Sequence, residues 1–261
     1  MAEVMREQKP SVAHHCDHLV QVYREPVELA ESVAAFFGAG FEAVEPAVAV
    51  VTAAHWPVFA KRLEKRGWNV AELEAEGALY LRDADETLAA LSDDRGPVQR
   101  KFNEVVGSLL DLAAGPGRRH VHAFGEMVDI LVRRGERTQA DILERYWTEL
   151  GQKKDFTLLC GYKVDVFDLH TQISLLPQVY RTHTHVLPHP DAERMERAVG
   201  RALAEVLGED DAQKVYAQAV REEQAAPASH LALLWISAHM PRTAEEVLAV
   251  ARLRFAEAAA A

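Results

Sequence analysis

Two cysteines, Cys16 and Cys160, are all that 261 residues contain. Two thiols build no disulfide framework, so a reducing, cytoplasmic compartment is expected. Long hydrophobic runs are also missing. The longest uncharged apolar stretch, Pro46–Ala54, is far short of the roughly 20 residues a spanning helix needs. The opening MAEVMREQKP has no apolar segment of the kind a secretory signal requires. Neither a membrane partner nor export is expected. Basic residues are outnumbered, 29 Lys and Arg against 40 Asp and Glu, for a formal net charge of −11. Such a balance argues against direct nucleic-acid binding, which lives on phosphate contacts. Motifs of common catalysts are absent too: no Gly-x-Ser-x-Gly elbow, no His-Glu-x-x-His, no paired Cys-x-x-Cys and no Gly-x-Gly-x-x-Gly.

What is present is the alternation of a parallel α/β sheet. Leu19–Val22, Ala47–Thr52, Ala78–Leu81, His120–Phe124 and Phe156–Cys160 read as short buried strands. Between them lie helical stretches: about Val27–Phe37 ended by Gly38 and Gly40, Pro57–Arg66, Val98–Leu112, and one capped by Thr138 that runs to Leu150. Asp83, Asp85 and Glu86 read as a loop and helix start rather than a metal site. Strands separated by crossover helices imply a mostly parallel sheet with helices on both faces. After Pro188-His189-Pro190 no strand follows. Asp191 starts a helix, further helices come after it, Pro241 stops one of them, and Thr243-x-x-Glu246 has capping-box spacing at the start of the last. The expected organisation is an α/β domain over 14–190 and an α-helical region over 191–261.

Ligands of open parallel sheets bind at the carboxyl ends of the strands. That rule selects Tyr23, Thr52, Glu126 and Tyr162. Glu126 follows a strand and Gly125; it either faces a cleft or is an ordinary helix-start carboxylate favoured by the macrodipole. The first strand-to-helix turn, where a phosphate-binding loop would stand, reads Tyr23-Arg24-Glu25-Pro26-Val27-Glu28. It has no glycine or lysine, Pro26 removes a donor, and two carboxylates repel phosphate. Histidine is abundant, with twelve residues. His14, His15, Cys16, Asp17 and His18 form one group of metal-type side chains, and His183, His185 and His189 another. In the second group one buried, hydrogen-bonded ring and one exposed ring are expected. Cys160 reads as a small buried hydrophobe rather than a nucleophile. No cofactor is called for.

Several segments together resemble the MEDS family of methanogen/methylotroph sensory domains: His18-Leu-Val-Gln-Val-Tyr23, Phe36-Phe-Gly-Ala-Gly-Phe41, Phe124-Gly-Glu-Met127, Leu143-Glu144 with Trp147 and Leu150, Leu159-Cys-Gly-Tyr162, and Arg181-Thr-His-Thr-His-Val-Leu-Pro188. The resemblance covers about 14–188. It implies a three-layer sheet of RecA/KaiC-like type whose phosphate-binding loop has degenerated. It also implies sensing of small organic molecules in signal transduction and transcription regulation, without catalysis. By motif position it makes His18, Tyr23, Glu126, Cys160, Tyr162 and His183 the ligand-binding residues. His14, His15, Cys16, His18, His183 and His185 remain weaker candidates for metal. The tail, with twelve carboxylates against eight basic residues over 191–261, suits a protein partner better than DNA. A homo-oligomer is left open. The alternatives are a divergent nucleotide hydrolase using Glu126 and a metal- or haem-binding sensor using the histidines.

Overall fold

The computed structural model describes residues 16–220 and 225–257. His14 and His15 lie outside the described residues. In chain order the elements are β1 (His18–Tyr23), α1 (Pro26–Glu42), β2 (Ala47–Val51), α2 (Trp56–Lys65), α3 (Val70–Ala75), β3 (Leu79–Asp83) and α4 (Ala84–Leu91). A small hairpin of β4 (Ser92–Asp93) and β5 (Gly96–Pro97) precedes α5 (Gln99–Phe102), a π-helical turn at Asn103–Gly107, and α6 (Ser108–Ala114). Then come β6 (Val121–Gly125), α7 (Met127–Arg133), α8 (Arg137–Gly151), β7 (Phe156–Lys163), α9 (Leu169–Ser174), α10 (Leu176–Thr182) and β8 (His185–Val186). The C-terminal part is α11 (Ala192–Leu207), α12 (Glu209–Ala219), α13 (Ala228–His239) and α14 (Pro241–Glu257).

Six strands form one sheet in the order β3-β2-β6-β7-β1-β8, and every pairing is parallel. The expected α/β class and parallel sheet are therefore present. Its central strands are apolar on both faces, as AVAVV of β2 shows, because helices cover both sides. One face packs Leu29, Val33 and Phe37 of α1 with Phe59 and Leu63 of α2. The other packs α4 to α8 and α10, and the same continuous core takes in Met195, Leu203, Leu233, Leu248 and Phe255 of the C-terminal helices. Among the described residues no helix is long and apolar enough to cross a membrane.

Three local expectations need correction. Helix α1 does not stop at Gly38 and Gly40 but continues to Glu42. Those glycines serve close approach: a Cβ on Gly40 would stand 2.6 Å from His122 Cδ2, and one on Gly38 3.1 Å from Trp68 Nε1. Thr138 lies inside α8, which Arg137 begins. Pro241 follows the end of α13 at His239 as expected, but it also opens α14, so Thr243 lies inside that helix rather than capping it. Asp83 and Asp191 behave as expected, accepting from the amides of Glu86 and Arg194 at helix starts.

Candidate functional site

Strand β2 leads to β3 on one side and β6 leads to β7 on the other, so strand order reverses between β2 and β6. A crevice at the carboxyl ends of such neighbours is where open sheets take ligands. Glu126, the first residue after β6, sits there and is 1% exposed. Its Oε2 accepts from the Thr52 amide at 2.7 Å and the Thr52 hydroxyl at 3.0 Å, and its Oε1 pairs with His55 Nδ1. Committing Nδ1–H to the carboxylate leaves the His55 Nε2 as an acceptor. Tyr23 ends β1 with its ring edge-on to His55, centroids 6.0 Å apart. Its hydroxyl is buried with no hydrogen-bond partner. Burial pushes its pKa up, and the Asp129 and Glu126 carboxylates add to the effect. Asp129, on α7, accepts from the Lys163 amide at 2.9 Å and Arg133 Nε at 2.8 Å. Burial still raises its pKa against both partners.

The β1–α1 turn is occupied from within. Glu28 Oε2 accepts from the amides of Arg24 at 2.9 Å and Glu25 at 3.3 Å. Its Oε1 lies 3.5 Å from His189 Nε2. Partial burial would raise the Glu28 pKa, but the neighbouring His189 ring and the two amides outweigh it and hold it at about 2. A carboxylate depressed from 4.5 stabilises the fold above pH 4.5, and that contribution is lost as pH falls from there towards 2. We expect Glu28→Gln to lower Tm at neutral pH, with the gap to wild type closing between pH 4.5 and 2. Thermal unfolding at stepped pH checks this.

A second polar group lies across the sheet face, beneath α8 and α10. The register sets Val20 against Cys160 and Val22 against Tyr162, so His18 on β1 and Cys160 and Tyr162 on β7 share one face. His18 Nε2 is 3.3 Å from Cys160 Sγ and 3.5 Å from Glu144 Oε2. His183, the residue that ends α10, stacks obliquely on His18 with centroids 4.1 Å apart and points Nε2 at Glu144 Oε1, 3.7 Å away. The Tyr162 hydroxyl donates to Glu144 Oε1. Burial, assisted by the neighbouring His183, pushes the His18 pKa well below its usual value. Burial also raises the Cys160 thiol and the Glu144 carboxyl. One ligand atom from each of His18, Glu144, Cys160 and His183 lies within 4.8 Å of every other. This is the group of described residues able to hold a metal.

The six residues expected around one cleft thus fall into two sets. Tyr23 and Glu126 meet at the strand ends, while His18, Cys160, Tyr162 and His183 meet under α8 and α10. Of the histidine pair, His183 is buried and hydrogen-bonded and His185 is exposed, as expected. Cys16 stands outside the four-residue group and packs against Gly151. Sequence reasoning missed His55, Asp129 and the site role of Glu144. Glu144 had a usable signal: it interrupts the apolar stripe Ala140, Leu143, Trp147, Leu150 on the buried face of α8. A groove of ≈ 990 Å³ at the opposite ends of β6 and β7 is lined by Arg118, Arg119, Lys153 and Lys154 with Asp111 and Asp155. Those side chains are exposed or half-buried, so it offers no comparable buried chemistry.

No curated protein matches the chain. A family model, MEDS, the methanogen/methylotroph, DcmR sensory domain, matches residues 17–184. That span runs from the residue before β1 to the one before β8 and contains both polar groups. With most of its length matched, including every strand that bears a site residue, the chain belongs to the MEDS family of sensory domains.

Proposed function

We propose that this chain is a non-catalytic sensor of a small organic molecule, bound in the β2/β6 crevice and reported to a protein partner by helices α11–α14. The observation that carries the reading is the orphaned Tyr23 hydroxyl, buried beside His55 at the end of β1. An unpaired buried hydroxyl costs about 1–3 kcal/mol, and a ligand acceptor would recover it. Tyr23 as donor and His55 Nε2 as acceptor suit a small molecule bearing a carbonyl or hydroxyl group. The Glu28 carboxylate supports descent from a RecA/KaiC-like ATPase with a degenerate phosphate loop, because it takes the amides a phosphate would use. The hydrolase alternative has less support, since both oxygens of Glu126 are engaged by Thr52 and His55.

A physical route to the tail starts one turn away. Glu28 pairs with His189, whose ring stands edge-on to Phe255 of α14 at 5.1 Å. Arg194 of α11 lies over the same ring at 3.9 Å. A ligand that prefers one arrangement of the β1–α1 turn would bias these contacts.

The test is a thermal-shift screen of short alcohols, ketones and carboxylic acids on wild type and Tyr23→Phe. Without ligand, Tyr23→Phe should be as stable as wild type or more stable by up to about 1 kcal/mol, because the orphan is removed. A compound that stabilises wild type should lose its effect on Tyr23→Phe. An equal response in both proteins refutes the site assignment, and ATP turnover abolished by Glu126→Gln refutes the non-catalytic reading.

A further inference from the structure

We propose that His18, Glu144, Cys160 and His183 form a closed, four-ligand site for a borderline divalent transition metal, zinc above all, that ties β1 and β7 to α8 and α10. The inference is independent of the β2/β6 crevice and uses none of its residues. Two imidazoles, a thiol and a carboxyl are a donor set that suits zinc. Bonds of about 2.0–2.3 Å to a tetrahedral ion put ligand atoms roughly 3.3–3.8 Å apart. The pairs His18 Nε2–Cys160 Sγ and His18 Nε2–Glu144 Oε2 stand at 3.3 and 3.5 Å, and His183 Nε2 is 3.7 Å from the other Glu144 oxygen, Oε1. With every ligand pair within 4.8 Å, closure requires about 1 Å of contraction along the longest edge.

The outer contacts orient these ligands as a metal requires. His183 Nδ1–H donates to the Val179 carbonyl at 2.6 Å, which leaves the Nε2 lone pair directed inward. The His18 ring likewise turns Nε2 to the cluster. Tyr162 donates to Glu144 Oε1, leaving Oε2 for an ion. Hydrogen bonds from the far nitrogen of a ligating histidine and to a ligating carboxylate are the usual second shell of metal sites. Two atoms aimed into the cluster, Glu144 Oε2 and His183 Nε2, are buried without any hydrogen-bond partner. Converging lone pairs of this kind repel unless a cation or protons lie between them. A thiolate and a carboxylate would together balance a divalent charge. With four protein ligands and no vertex left for water, the site is of the structural kind rather than the catalytic. A cavity of ≈ 20 Å³, lined by Arg137, Asp141, Glu144, Tyr162, Gln178 and Val179, joins exposed residues to Glu144 and has room for one water-sized species.

Loading would also reach the tail. His183 ends α10, and one turn earlier Tyr180 hydrogen-bonds His230 of α13 at 2.9 Å. The experiment is a titration of the chelator-treated full chain with cobalt(II), followed by absorption, together with elemental analysis of protein from zinc-supplemented cells. The expected result is one equivalent per chain with a thiolate-to-cobalt charge-transfer band and tetrahedral d–d bands. Cys160→Ser should abolish the charge-transfer band, and Cys16→Ser should leave it intact. His183→Gln should weaken binding by more than the roughly tenfold to hundredfold seen for outer-shell losses. Removal of the ion from wild type by chelation, then its return, should lower and restore Tm, a readout that survives if a variant misfolds. A metal content near zero, a band that follows Cys16, or a Tm indifferent to the ion would each overturn the proposal.

Discussion

Glu126→Ala should destabilise the folded chain by about 3–5 kcal/mol in denaturant unfolding at neutral pH. The substitution leaves three donors behind in a buried place: the Thr52 amide, the Thr52 hydroxyl and His55 Nδ1–H. Each stranded donor costs about 1–3 kcal/mol, and water entering the crevice keeps the sum below full additivity. Glu126→Gln should cost less, about 1–2 kcal/mol, because an amide oxygen still accepts from Thr52. Its NH2 then meets His55 Nδ1, which must become the acceptor, so Nε2 becomes the donor. The Gln variant should therefore fold and yet present the opposite polarity to a ligand. An Ala variant within about 1 kcal/mol of wild type would show that Glu126 does not join β2 to β6 in this way.

Phe255→Ala carries the second large effect, a loss of about 3–5 kcal/mol. Phe255 is 5% exposed in the last helix. Its ring meets Phe167, His189 and the Arg194 guanidinium, so truncation leaves a cavity where α14, α11 and the segment after β7 come together. The C-terminal helices and the sheet share one core. Wild type and variant should therefore each unfold in a single cooperative step, seen as coincident tryptophan fluorescence and circular dichroism transitions. Two separated transitions would show that the tail folds as an independent unit and cannot relay a change through Phe255.

Elements were legible in the sequence wherever a local pattern encodes them. The run AVAVV flanked by turn residues is a strand in any compact setting, and Asp191 caps a helix because its side chain reaches an amide three residues on. Boundaries failed where a distant partner decided them. Gly38 and Gly40 look like stop signals, yet they remain inside α1 because Trp68 and His122 need the space their missing side chains leave. Candidate site residues were found when they ended or directly followed a strand, as Tyr23 and Glu126 do. His55 was not found, since nothing within a dozen residues says what it will face, and the interrupted apolar stripe around Glu144 signals burial but not its distant partners.

By itself, then, the sequence determined an alternating α/β chain with a parallel sheet, a first turn without the glycines and lysine of a phosphate loop, and a helical C-terminal region. Each of these follows from periodicity, backbone preference and charge within a short window. The tertiary structure alone decided that the six candidate residues divide between the strand ends beside β2 and β6 and a cluster beneath α8 and α10. It alone set Glu28 against His189 and brought His18, Glu144, Cys160 and His183 together from β1, α8, β7 and the end of α10. Such meetings depend on strand order and on which face of the sheet each helix covers. Those are long-range choices made by the packing of the whole core.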